Sequence, residues 1–180
     1  MHGPERVAAW LDAMAAALAP AVAARPGTAF VGIRRGGVDV ARELRARIAP
    51  EAPFGVLDIA FYRDDFGTRG LHPQVGPSAI DFDLDGRAVV LVDDVVGTGR
   101  TVRAALNEIF DFGRPARVTL AALVDRGGRE LPLGPDVVGV RLAVGAHERV
   151  DYDGAAATVA VRRADPDPDP DPDPDAAPRA

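Results

Sequence analysis

The chain contains no cysteine. Disulfide bridges and thiolate metal sites are therefore excluded. Lysine is absent as well, and all 21 basic residues are arginine. No uninterrupted apolar run approaches the ~18 residues that a membrane span needs, so no membrane partner is expected. The opening MHGPERVAAWLDAM lacks a basic stretch followed by an apolar core and does not read as a secretory signal. The cytoplasm is the expected setting. A strong basic excess, the mark of a phosphate-backbone binder, is also missing, since the formal net charge is −6 at pH 7. Six aspartates and one arginine beyond residue 164 carry −5 of that, which leaves the body close to neutral.

What is present is a 180-residue chain with 47% apolar residues, enough for one domain with a real core. It is organised around AVVLVDDVVGTGRT, residues 88–101. The run from Ala88 to Val92 is rich in β-branched valine and long enough for a buried strand. Asp93 and Asp94 end that run, and Val95 and Val96 lead into Gly97, Thr98 and Gly99. Arg100 and Thr101 then open a helical pattern in which Val102, Leu106, Ile109 and Phe110 fall on one stripe. Strand, acidic pair, glycine turn and helix follow in that order. In an open α/β sheet such a turn lies beyond the carboxyl end of the strand, where ligands bind.

The chemistry of the stretch suits a ribose 5-phosphate. Turn amides followed by a helix N-terminus make a concave donor site for phosphate. Gly97 and Gly99 let the backbone approach closely, and Thr98 and Thr101 add hydroxyls. Two carboxylates before the loop suit ribose hydroxyls or a hydrated Mg²⁺ carried in on phosphates.

Other units repeat the scheme. An Ala-rich helix is expected from Glu5 to Ala24, interrupted near Pro20. Trp10 on it suits the core or a subunit contact. Thr28 to Ile33 reads as a strand, Arg34-Arg35-Gly36-Gly37 as its loop, and Val38 to Ile48 as a helix. Two arginines against two glycines suit a pyrophosphate. Val56 to Tyr62 is a third strand candidate. The polar segment from Arg63 to Asp85 is too long for a plain connector and reads as a lid. Val118 to Val124 is a further strand, ending in the loop Asp125-Arg126-Gly127-Gly128-Arg129, and Val137 to Val144 is the last. His147 has no partners at metal-ligand spacing. The Asp-Pro repeat from Asp165 should be extended and disordered.

The stretch VVLVDDVVGTGRT resembles the phosphoribosyl diphosphate (PRPP) motif of type I phosphoribosyltransferases. With VGIRRGGVDVARELRARI, LDIAFYRDD and GRPARVTLAALVDRGGRELP, the chain resembles the PyrR family, over roughly residues 5 to 153. Members have uracil phosphoribosyltransferase activity, and some regulate pyrimidine operons by binding messenger RNA. The resemblance implies an α/β fold with a central, mostly parallel sheet flanked by helices, and a flexible hood at about 62–86. The phosphoribosyltransferase domain would span 1–160 and a disordered tail 161–180.

It also implies roles. The 5-phosphate would lie in the loop of Val95, Val96, Gly97, Thr98, Gly99, Arg100 and Thr101. Asp93 and Asp94 would meet the ribose hydroxyls and, indirectly, a Mg²⁺ brought by PRPP. Arg34, Arg35 and Gly36 would take the diphosphate, with Arg63 from the hood, and uracil would lie beside Val124, Asp125 and Arg126. Relatives commonly carry Thr-Arg-Gly where this chain has Arg35-Gly36-Gly37, and histidine and lysine at the positions of Gly128 and Val140. Two readings stand beside the uracil enzyme: an RNA-binding regulator with UMP or UTP as effector, and a transferase for a purine base. The basic-poor first helix, Gly128, Val140 and the acidic tail weigh against RNA contact, whereas Arg129, in place where relatives have it, keeps that reading open. Homodimers or higher homo-oligomers are the family's assemblies.

Overall fold

A computed structural model describes residues 1–59, 78–145 and 147–163. Arg63, most of the expected hood and the Asp-Pro repeat lie outside the described residues. The elements, in chain order, are α1 (Pro4–Ala23), β1 (Ala29–Ile33), α2 (Gly36–Ile48), β2 (Phe54–Leu57), β3 (Ala88–Val96), α3 (Arg100–Phe112), β4 (Arg117–Asp125), β5 (Val137–Arg141), β6 (Glu148–Asp153) and β7 (Thr158–Arg163).

Five strands form one sheet in the order β2-β1-β3-β4-β5, and every pairing in it is parallel. Parallel strands buried on both faces read as near-continuous apolar runs, which is what AFVGI and AVVLV are. Successive side chains alternate between the faces. Phe30, Val90, Val92, Ala121 and Leu123 pack toward α1 and α2, whereas Val31, Val89, Leu91, Leu120 and Ala122 pack toward α3. The strand order reverses between β1 and β3, which makes a crevice at their carboxyl ends.

Four sequence expectations change. The acidic pair does not end the central strand. β3 runs on through Asp93 and Asp94 to Val96, because Asp93, Val95 and Val96 keep their pairing with β4. Helix α1 is not interrupted at Pro20. Pro20 and Ala16 both face solvent, so the carbonyl that loses its N–H partner can be hydrated, and the ladder resumes with Ala24 N–H donating to Pro20 O at 3.1 Å.

In α3 the inward stripe centres on Ala105 and Glu108, with Val102 and Ile109 beside them. That rotation turns Phe110 outward, 44% exposed, with the Arg114 guanidinium over its ring. Finally, the described residues end in an antiparallel hairpin, β6–β7, whose second strand reaches Arg163, so the expected boundary at 160 falls inside a strand. His2 forms a bridge to Val159 of that strand.

By length and composition α1 is apolar enough to cross a membrane. Here its larger apolar groups are spent internally: Val7, Leu11, Met14 and Leu18 are buried. Trp10 packs at the edge of the same cluster, its ring edge-on to His2 at 5.1 Å.

Candidate active site

The crevice is built from the ends of three neighbouring strands. Within β3, Asp93 is 4% exposed, and its Oδ1 accepts the Asp94 N–H at 3.1 Å. Asp94 is half-buried. Burial raises its pKa above the ordinary carboxylate value, and the nearby Asp39 pushes the same way, while hydrogen bonds from Asp93 and the backbone oppose the shift. The two carboxylates are thus unequal in setting.

The loop after β1 closes onto them. A Cβ added to Gly36 would lie 2.6 Å from Cγ of Asp94, and one on Gly37 would lie 2.6 Å from the Val92 carbonyl oxygen. Both distances are below anything side chains tolerate, so only glycine lets the first turn of α2 press against the end of β3. The N-terminal turn then stands beside the Asp94 carboxylate, where its dipole favours negative charge. Arg35 is exposed at the N-cap of α2, after a cis Arg34–Arg35 peptide. Arg34 is tethered toward β2: its N–H donates to Leu57 O at 2.8 Å, and its Nε lies 3.6 Å from Oδ2 of Asp58.

Between β3 and α3, Gly99 takes the left-handed conformation at φ +92° and serves as N-cap, where no side-chain cap is formed. Arg100 N–H donates to Thr98 Oγ1 at 3.3 Å. The loop after β4 staples this turn. Thr98 O accepts the N–H groups of Glu130 and Leu131, each at 3.0 Å, and Arg100 Nε pairs with Glu130 at 2.7 Å. Arg126 N–H donates to Val96 O at 3.0 Å, and its guanidinium lies over Gly97. Arg129 bridges the two loops: Nη1 donates to the Gly97 carbonyl and Nη2 to Oδ1 of Asp125 at 2.8 Å. Asp125 Oδ1 also accepts the Gly127 N–H at 3.0 Å, and its Oδ2 faces Arg141 Nε at 3.8 Å. Val124 is fully buried behind it.

Residues 9–154 match the family model described as the phosphoribosyl transferase domain. The chain is 57% identical over 125 residues to the bifunctional protein PyrR of Pseudomonas entomophila, covering 69% of this chain and 73% of the relative. Against the protein of the same name from Pseudomonas aeruginosa (strain PAO1) the identity is 58% over 127 residues, 71% of this chain and 75% of the other. The chain belongs to the PyrR family. The solved hypoxanthine phosphoribosyltransferase of Trypanosoma cruzi has the same fold, with TM-score 0.65 and 18% identity over 92% of this chain and 96% of that one.

In this PyrR-family fold, the described candidates Arg34, Arg35, Gly36, Asp93 to Thr101, Val124, Asp125 and Arg126 all lie at the carboxyl ends of β1, β3 and β4 or in the segments that follow them, at one edge of the sheet. Arg63 lies outside the described residues. Two contributors were not among the expected site residues. Arg129 ties the glycine turn to Asp125, and no periodicity reveals an arginine reaching back 32 residues. Asp58 holds Arg34, and its only sequence signal is a carboxylate just past a strand. Among the described residues no group of three or more His, Asp or Glu could cage a metal ion.

Proposed function

We propose that the chain transfers the phosphoribosyl group of PRPP to N1 of uracil, giving UMP and diphosphate. The observation that supports this reading is that Gly36 abuts Asp94 while Arg126 covers Gly97, which brings the loop after β1, the acidic pair, the glycine turn and the loop after β4 together. In this reading the 5-phosphate lies on the Val95–Thr101 turn at the N-terminus of α3. Asp93 and Asp94 take the ribose hydroxyls, Arg34, Arg35 and Gly36 the diphosphate, and Val124, Asp125 and Arg126 flank the base.

As the C1–O bond breaks, positive charge grows on the ribose and negative charge on the leaving diphosphate. Asp94 faces the first and the arginines the second, so catalysis is alignment and electrostatics rather than covalent chemistry. A pair of carboxylates without a protein cage fits a Mg²⁺ that keeps its waters and arrives on the substrate's phosphates. Asp93 and Asp94 would hold it indirectly, and when bound it would neutralise diphosphate charge. Assembly into a homo-oligomer is part of the same reading.

The test is product formation from PRPP and Mg²⁺ with uracil, beside hypoxanthine, guanine and orotate. UMP formed from uracil, with no product from the other three, is the expected result. Product from hypoxanthine or guanine, and none from uracil, would replace the base assignment.

A second reading rests on the word "bifunctional" in the relatives' name: RNA binding governed by UMP or UTP. It requires several arginines on one face. Arg129 is already engaged by Gly97 and Asp125, which argues against it as an RNA contact. Sub-micromolar, salt-sensitive binding of a pyrimidine-operon leader RNA would restore this function.

A further inference from the structure

Beside the three loops lies a buried polar line that the proposed chemistry leaves unused. Glu108 sits on the inward stripe of α3, 7% exposed, between apolar neighbours Ala105 and Ile109. Its Oε1 accepts the hydroxyl of Ser78, and its Oε2 has no hydrogen-bond partner among the described residues. The Ser78 oxygen in turn accepts the backbone N–H of Asp58 at 2.8 Å. Asp58, 9% exposed, directs its carboxylate at Arg34 Nε, 3.6 Å away. Glu108, Ser78, Asp58 and Arg34 therefore form one continuous line from the middle of α3 to the loop after β1.

A carboxyl at Glu108 is costly where it stands. Burial raises its pKa, and Asp58 and Asp111 add to the rise. Burying a polar group with one oxygen unsatisfied disfavours folding, and an aliphatic side chain would continue the stripe of Val102, Ala105 and Ile109 without that penalty. Its one described hydrogen bond is the one that orients Ser78.

We propose that Glu108 is a positioning residue for the diphosphate end of the site. By fixing the Ser78 hydroxyl it holds the Asp58 backbone, and the Asp58 carboxylate then sets the direction of the Arg34 guanidinium. Arg34 touches the substrate, whereas Glu108 acts only through the two residues between. This inference rests on the proposed reading of the Arg34 loop.

The experiment compares the full-length chain with Glu108→Leu, Glu108→Gln and Ser78→Ala. It records the Kd of magnesium diphosphate by calorimetry, KM for PRPP and for uracil, and Tm. Glu108→Leu and Ser78→Ala should each weaken diphosphate and raise KM for PRPP by about tenfold, the loss of one buried hydrogen bond, with KM for uracil unchanged. Glu108→Gln should restore both values to within about twofold, since its amide oxygen still accepts from Ser78. A variant carrying both Glu108→Leu and Ser78→Ala should be no worse than Glu108→Leu alone. Tm of Glu108→Leu should not fall.

Unchanged diphosphate binding in both Glu108→Leu and Ser78→Ala would overturn the proposal. So would equal rises in KM for PRPP and uracil, or a Gln variant as weak as Leu. A wild-type chain that binds no magnesium diphosphate would overturn the reading of the loop itself, and this inference with it.

Discussion

Gly36 and Asp94 occupy each other's space: a Cβ at position 36 would lie 2.6 Å from Cγ of Asp94 and 3.0 Å from its Cβ. The loop after β1 and the acidic pair are therefore a single steric unit. Gly36 is one of the two glycines that let α2 begin against β3.

Gly36→Ala should push the Asp94 carboxylate out of line. Misplacement of a reacting group by about 1 Å can cost roughly 100-fold in rate, so kcat should fall on that scale while the far-UV circular dichroism stays unchanged. Steady-state kinetics on PRPP and uracil would check it, and a rate within twofold of wild type would mean the crevice adapts.

Asp94→Asn should separate activity from stability. Turnover should drop by about 100-fold or more, the scale on which a single preorganised group acts. Stability should move the other way. Burial raises the Asp94 pKa in the fold, so the stabilisation linked to its proton is complete below the unfolded pKa near 4 and is lost as pH rises through the folded pKa. At pH 7 the ionised carboxylate weighs against folding. The Asn variant should melt higher than wild type at pH 7, with the gap closing toward pH 4. Thermal melts across that window decide it, and a lower Tm at pH 7 would refute the sign.

The same shift predicts the acid limb of the rate profile. Carboxylates titrate on the acid side, at ordinary values near ~4. The ionised Asp94 should be lost at a pH above the ~3.9 of a free aspartate, so kcat/KM should begin to fall above that value on acidification.

Arg129→Met should loosen the staple between Gly97 and Asp125. A hydrogen bond to a charged group contributes about 1.5–3 kcal/mol, so KM for both PRPP and uracil should rise by roughly tenfold or more. Arg129→Lys should fail to restore them, because an ammonium cannot bridge a carbonyl and a carboxylate as the fork does. Full recovery by lysine would reduce Arg129 to a plain charge.

Pro20→Ala tests the uninterrupted α1. Alanine restores an N–H at a solvent-facing position inside a continuous helix and should stabilise by up to about 3 kcal/mol. A higher Tm is expected. An unchanged one would mean that the helix already absorbs the missing donor without cost.

The strand–turn–helix order of residues 88–112 was legible because valine runs, glycine turns and three-to-four spacing each carry a local signal. The RRGG loop was legible for the same reason, by its place between a strand and a helix. Asp93 and Asp94 misled as strand enders because polarity marks a boundary only when pairing stops there, and pairing with β4 continues to Val96. Phe110 misled because hydrophobicity outweighed phase: Ala105 and Glu108, less apolar, hold the inward side of α3. Strand β7 was hidden beside the Asp-Pro repeat, and its partner β6 is too polar to announce a hairpin. Contacts such as Arg129 to Gly97 depend on side-chain reach across 32 residues, which no local pattern encodes.

The staple from residues 129–131 to the glycine turn bears on redesign of the base-side loop. That loop also shapes the phosphate turn, through Arg129 on Gly97 and through the Glu130 and Leu131 amides on Thr98. A segment borrowed from an enzyme with another base preference would bring its own bracing or none. A graft of residues 125–131 therefore succeeds only if it carries an equivalent of Arg129 and two free amides at the same height. On the proposed reading of the two loops, base preference and phosphate affinity in this chain are inherited together.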